Sequence, residues 1–164
     1  MKRLLFTFPL IIVLALTSAC GWHLRGTITS LDNVESVHLT FGSADKSFIR
    51  DLEQMLEQQG ISLVDAAKPE TITLSIQDYQ LDKRTVSVGS DALAAAYQLA
   101  ITVKYTIHRG ETLLVSDGEA QSRRSYDFDS NQVLSKNKEE TLLKEDMNKD
   151  LINQLLRRLQ HVSQ

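Results

Sequence analysis

Between Tyr97 and His108 the chain alternates without a break, with Tyr97, Leu99, Ile101, Val103, Tyr105 and Ile107 set against Gln98, Ala100, Thr102, Lys104, Thr106 and His108. A period of two over this length is the pattern of a strand with one face buried. Such a strand needs a layer to cover it, and the end of the chain supplies one. Leu143, Met147, Leu151, Leu155, Leu159 and Val162 recur at steps of four, four, four, four and three, and Leu142, Ile152 and Leu156 widen the stripe. That is the breadth expected of a helix lying on a sheet.

Other segments fit the same scheme. Val37, Leu39 and Phe41 alternate with Ser36, His38 and Thr40, which predicts a half-buried strand with His38 on its polar face. Gly42 to Asp45 breaks it and offers Ser43 or Asp45 as a helix N-cap. Phe48, Leu52, Met55 and Leu56 then recur at helical spacing, Gly60 closes the helix, and Ile61 to Val64 reads as a short strand. Ile72, Leu74 and Ile76 share a strand face, but Tyr79 and Leu81 have the opposite parity. A bulge near Gln77 and Asp78 reconciles the two. Gly89-Ser90-Asp91 predicts a turn, and Arg109-Gly110-Glu111 a tight hairpin leading into a strand from Leu113 to Phe128. In that strand Gly118, Ala120 and Ser122 form a small-residue face suited to close approach, and Asp117, Glu119, Gln121 and Arg123 a wet one. The expected fold is α+β: a two-layer sandwich with two helices on one face of a roughly four-stranded mixed or antiparallel sheet.

The beginning of the chain has a different character. Lys2 and Arg3 precede an apolar run from Leu4 to Leu16, followed by small Thr17, Ser18 and Ala19 and then Cys20, the only cysteine in 164 residues. These are the parts of a secretory signal, and the run is too short for a membrane span, which takes roughly 20 residues. A cysteine directly after the small residues stands where a lipobox places its acceptor thiol, although Thr17 occupies a position where leucine is most usual. A lone cysteine in an exported chain has no intramolecular disulfide partner, and lipidation gives Cys20 a role. Two or three acyl chains would hold it firmly to a membrane. Gly21 stands where an aspartate tends to retain lipoproteins at the inner membrane, so the outer membrane is favoured. The chain thus divides into a removable signal peptide (1–19), a lipid-anchored segment (20–35) and a single α+β domain (36–164).

Without residues 1–19 the chain carries 16 basic and 21 acidic residues, a net charge of −5. This is the wrong balance for a nucleic-acid-binding domain. His23, His38, His108 and His161 have no zinc-site spacing, and no nucleophile elbow or phosphate-binding loop occurs. The pattern implies no metal, no cofactor and no enzyme. The notable charges are basic residues outside helix interiors: Lys83 and Arg84 late in one strand, Arg123 and Arg124 in another, Lys136 and Lys138 ahead of the last helix. If the sheet brings them together they form a cationic patch fit for a phosphorylated ligand.

Three stretches carry a family resemblance: Cys20-Gly21-Trp22-His23-Leu24-Arg25, Ala96-Tyr97-Gln98-Leu99, and Leu134-Ser135-Lys136-Asn137-Lys138-Glu139. In this order and spacing the chain resembles the lipopolysaccharide-assembly lipoproteins of the LptE family over essentially the whole length after Ala19. The resemblance implies a plug and assembly factor within the outer-membrane barrel LptD, on the periplasmic side, that binds lipopolysaccharide during its insertion into the outer leaflet. It also implies that Lys136 matches a family lysine and is the leading ligand contact, with Lys138, Lys83, Arg84, Arg123 and Arg124 as further candidates. The acidic turn at Asp91 departs from the basic side chain expected there. The alternative is a free-standing periplasmic lipoprotein that holds a small amphiphile in its own cavity. Cys20→Ser is expected to leave an uncleaved, unlipidated precursor, seen as a mass shift; normal acylation of that variant would refute the lipobox reading.

Overall fold

The computed structural model describes residues 34–89, 94–129 and 132–163. The signal peptide, Cys20, the Trp22–Arg25 segment, and Ser90 and Asp91 of the predicted turn lie outside the described residues. In chain order the elements are β1 (Ser36–Ser43), α1 (Lys46–Gln58), β2 (Ser62–Leu63), β3 (Ile72–Val88), β4 (Ala94–Arg109), β5 (Thr112–Asp127) and α2 (Val133–Val162). The sheet order is β2-β1-β3-β4-β5. β1 runs parallel to β2 and β3, and β3, β4 and β5 form an antiparallel meander. The sheet is therefore mixed and has five strands rather than four, the fifth being the two-residue β2.

Local chemistry accounts for the boundaries. Asp45 is the N-cap of α1, and its carboxylate accepts from the backbone of Ser47 and Phe48 at 2.8 and 3.3 Å. Gly60, one residue past the C-cap Gln59, has a φ of 78°, the left-handed conformation that ends helices at little cost for glycine. The bulge falls where the parity change places it, between Ile76 and Asp78 of β3. Gly42 lies beside it on β1, and a Cβ there would come within 2.5 Å of the Gln77 carbonyl oxygen. The absent side chain at 42 is what lets the bulged backbone approach.

Both helices pack on one face. Phe48, Leu52 and Leu56 of α1 and Met147, Leu151, Ile152, Leu155, Leu156 and Leu159 of α2 are buried against Leu74, Ile76, Leu99, Ile101, Val103 and Ile107 of the sheet. Two polar groups enter this layer with partners. Tyr79 OH donates to Asn148 Oδ1 at 2.9 Å, and Ser122 Oγ donates to Asp150 Oδ2 at 2.8 Å. Burial pushes the Tyr79 hydroxyl up to about 12, so it stays a donor. The small face of β5 receives a ring rather than a backbone: a Cβ on Gly118 would fall 2.4 Å from Tyr105 Cε2, and Tyr105 is its cross-strand partner. The expected stripe on α2 buries fully only from Met147 onward, and Leu142 is 55% exposed.

α2 also leans over the outer edge of the sheet. Gln154 Nε2 donates to the backbone carbonyl of Gln121 at 3.1 Å, and Arg124 Nη1 to that of Arg123 at 3.0 Å. The opposite sheet face has no helix. Its rows are polar: Asp78–Lys104–Glu119, Gln80–Thr102–Gln121, Asp82–Ala100–Arg123 and Arg84–Gln98–Ser125. Gly118→Ala is expected to lower stability by about 1–2 kcal/mol, because the buried Tyr105 ring must leave its rotamer. Chemical denaturation measures this, and an unchanged midpoint would show that the ring moves freely.

Candidate functional site

The sheet is longer than its helical cover. β1 pairs only with Ile72–Asp78 of β3, and beyond that point β3, β4 and β5 continue as a three-stranded arm, with β3 alone spanning about 55 Å at strand rise. Every residue from Leu81 to Val88 is exposed. The first half of α2 lies over this arm, and the six basic candidates are distributed around it.

Strand parity decides where each one points. Lys83, Leu99 and Arg124 form one cross-strand row, and since Leu99 is fully buried the row faces the helix layer. Arg84 pairs with Gln98, and Arg123 with Ala100, in rows on the uncovered face. The six therefore do not pool into one patch. Neighbours in sequence, Lys83 and Arg84 or Arg123 and Arg124, are sent to opposite sides of the sheet. Arg84 is braced by two hydrogen bonds from its guanidinium to Gln98 Oε1, at 2.9 and 2.6 Å. Lys136 and Lys138 lie in the first two turns of α2, and Lys136 Nζ sits 2.8 Å from Glu139 Oε2. That end of the helix has no acidic residue in its first turn and no side-chain cap on Gln132. Cations there oppose the helix dipole, a cost that the i,i+3 pair of Lys136 with Glu139 offsets in part.

The helix-side row is the more elaborate part. Lys83 Nζ donates to Glu140 Oε2 at 2.6 Å and lies 4.3 Å from the Tyr97 ring centroid. Tyr126 OH donates to the same carboxylate oxygen at 2.6 Å, and Lys144 reaches Glu140 Oε1 at 2.7 Å. Burial works against the charge on Glu140, but hydrogen bonds from Lys144, Lys83 and Tyr126 outweigh it and hold the carboxyl down at about 2. Burial would likewise lower Lys83, and the bonds to Glu140 and Tyr126 reverse that and raise it. Arg124 makes a second link to the helix, with Nε and Nη2 at 3.1 and 2.9 Å from Asp146 Oδ2. Tyr97 completes an aromatic group, its ring 5.8 Å from Tyr126 and 5.2 Å from Phe128. Sequence reasoning missed Glu140 and this aromatic group. The signal for the latter was present, since Tyr126 shares parity with Ala120 and Ser122; the signal for Glu140 was not.

Among the described residues no three or more His, Cys, Asp or Glu side chains are placed to hold a metal. No described helix is long and apolar enough to cross a membrane. A groove of about 580 Å³ between α1 and α2 is lined by Met55, Ile152, Arg50, Lys144 and Lys149 among others.

An α+β sandwich with a helix-free polar face and a projecting three-stranded arm defines a class: a scaffold that presents surfaces. Solved structures share this fold. A lipoprotein B from Nitrosomonas europaea superposes with a TM-score of 0.69 at 25% identity, covering 85% of this chain and 90% of that one. Rare lipoprotein B from Shewanella oneidensis gives 0.64 at 22% identity over 74% and 92%. The LPS-assembly lipoproteins LptE of Photorhabdus laumondii and Pectobacterium atrosepticum are each 25% identical over 97% of this chain, covering 87% and 86% of their own lengths. The model of the LptE lipopolysaccharide-assembly family matches residues 31–159, and the chain belongs to that family.

Glu140→Gln is expected to cost about 1–2 kcal/mol of stability at neutral pH, the scale of lost hydrogen bonds to a charged group. Glu140 is the stronger acid when folded, against an ordinary value of 4.5. Its contribution is therefore complete above about pH 4.5 and disappears as pH falls toward 2. Melting curves of the parent and variant should converge over that window, and a constant gap would refute the assignment.

Proposed function

We propose that the protein is a lipid-anchored subunit of the lipopolysaccharide-assembly machinery, seated on the periplasmic side of the outer membrane. In this reading residues 20–35 tether the α+β domain, 36–164, through acyl chains on Cys20. The domain plugs the LptD barrel, assists its assembly and binds lipopolysaccharide on its way to the outer leaflet. Family membership supports the role in lipopolysaccharide assembly. The single structural observation that favours the plug is the uncovered sheet face, whose rows from Asp78 to Arg84 are polar apart from Ala100, the arm then ending in exposed Val86 and Val88. Large membrane barrels have polar, wet interiors, and a face that meets such a wall has no use for a helical cover. Buried leucines and isoleucines fill the space between helices and sheet, which weighs against the alternative of a free-standing lipoprotein with a cavity of its own.

Ligand contacts are assigned to half-buried Lys136 and exposed Lys138 at the start of α2, to Lys83 and Arg124 on the helix side of the arm, and to Arg84 and Arg123 on its open side. Phosphate groups are matched by lysine as a point charge and by arginine as a fork. Purification of the tagged protein from envelopes in mild detergent should bring down a stoichiometric large barrel protein; recovery of the chain alone would overturn the plug reading. Lys136→Asp should weaken lipopolysaccharide binding about three- to tenfold at low salt, with the difference shrinking as ionic strength rises. Unchanged affinity would return Lys136 to ordinary surface charge.

A further inference from the structure

The two halves of α2 are held to the sheet by different forces. From Met147 to Leu159 seven residues are buried. From Val133 to Asp146 none is, and Leu134 and Leu142 stand 88% and 55% exposed. What ties this first half to the sheet is mainly polar, Glu140 to Lys83 and Tyr126 and Asp146 to Arg124, with half-buried Leu143 adding one apolar contact to the core. A segment with few buried apolar contacts sits at the low end of local stability. Beneath it lie the rings of Tyr97, Tyr126 and Phe128, with Lys83 over Tyr97. Lys83 and Arg124 occupy one row with Leu99 between them, which places their backbones about 10 Å apart. Two cations anchored in that row, with an aromatic group that is uncovered for stacking by sugar C–H groups only once the helix lifts, fit a saccharide carrying two phosphates. In this structure each cation is held by a carboxylate of the helix.

We propose that this is a closed binding site for a phosphorylated saccharide, with the first half of α2 as its latch, opened when ligand phosphates replace Glu140 and Asp146 on Lys83 and Arg124. The inference rests on the lipopolysaccharide-binding reading and adds where the phosphates go and what admits them. Lys83 and Arg124 exchange carboxylate for phosphate; Asp146 passes into water and Glu140 keeps its pair with Lys144 on the same helix. The helix is continuous through Asp146–Met147, so opening requires local unwinding of the segment ahead of the buried stripe. Lys136, paired with Glu139, and exposed Lys138 travel with the latch.

Hydrogen exchange on the full chain, with and without lipopolysaccharide, reads the latch directly. Amides of 134–146 should exchange about tenfold or more faster than those of 148–159, and ligand should accelerate the first group only. The double variant E140Q/D146N keeps the shapes and removes the competing charges, so it should bind lipopolysaccharide about three- to tenfold tighter. Lipopolysaccharide with its phosphates removed should give neither effect. Equal protection of the two halves, or added protection of 134–146 by ligand, would overturn the latch, and this measurement needs no variant to fold. Binding by the parent that the folded double variant leaves equal or weaker would overturn the latch while leaving the proposed function standing. Absence of binding by parent and variant alike would overturn both.

Discussion

Burial of one helix stripe against one strand face is the constraint from which the rest of the architecture follows. Met147, Leu151, Ile152, Leu155, Leu156 and Leu159 meet Leu99, Ile101, Val103 and Ile107 with no solvent exposure at any of these positions. At about 25 cal/mol per Å² of apolar surface this seam is the main favourable term on the α2 side. It fixes which face of β4 is inside, and through β4 the parity of β3 and β5. The bulge at Gln77 exists because Tyr79 and Leu81 must rejoin that inside face after Ile76 has used it. Phe48 of α1 then packs on Tyr79, their ring centroids 5.2 Å apart, so the second helix depends on the same correction.

The seam also ends before the sheet does. Beyond it, three strands and half a helix continue with polar links beside the rings of Tyr97, Tyr126 and Phe128 and half-buried Leu143. Water-exposed ion pairs contribute little individually, so the arm is held chiefly at its root, through buried Val103, Ile101 and Leu99, and by buried Tyr126. The cations, the aromatic group and the extended polar face all belong to this arm.

Much of the architecture was legible because it rests on period and punctuation. The unbroken alternation from Tyr97, the four-residue steps ending at Leu159, the cap at Asp45 and the parity break at Gln77 each carry their physical reason in a few neighbouring residues. The site was less legible, since it depends on which strands are neighbours and in what register. Lys83 and Arg84 read as one basic pair in sequence, yet adjacent strand residues face opposite ways, and only one of them reaches the helix. Parity already separated Arg123, in phase with Glu119 and Gln121, from Arg124, in phase with Ala120 and Ser122. Nothing local could have shown that Glu140, in an ordinary helical charge run, collects Lys83, Tyr126 and Lys144. Leu142 failed as a core residue for the same reason: its helix extends past the layer that would have covered it.

The side chains of Gln154 and Arg124 that bond to the carbonyls of Gln121 and Arg123 have an effect beyond the fold of one copy. β5 is a 16-residue edge strand, and an open edge of that length is a template on which another strand can grow. Two of its acceptors are already satisfied from within, and charged Asp117, Glu119 and Arg123 stand along the same strand. Copies held side by side at high local density would find no continuous ladder to extend. A molecule with so much bare sheet is thereby kept from pairing its rim with that of another copy.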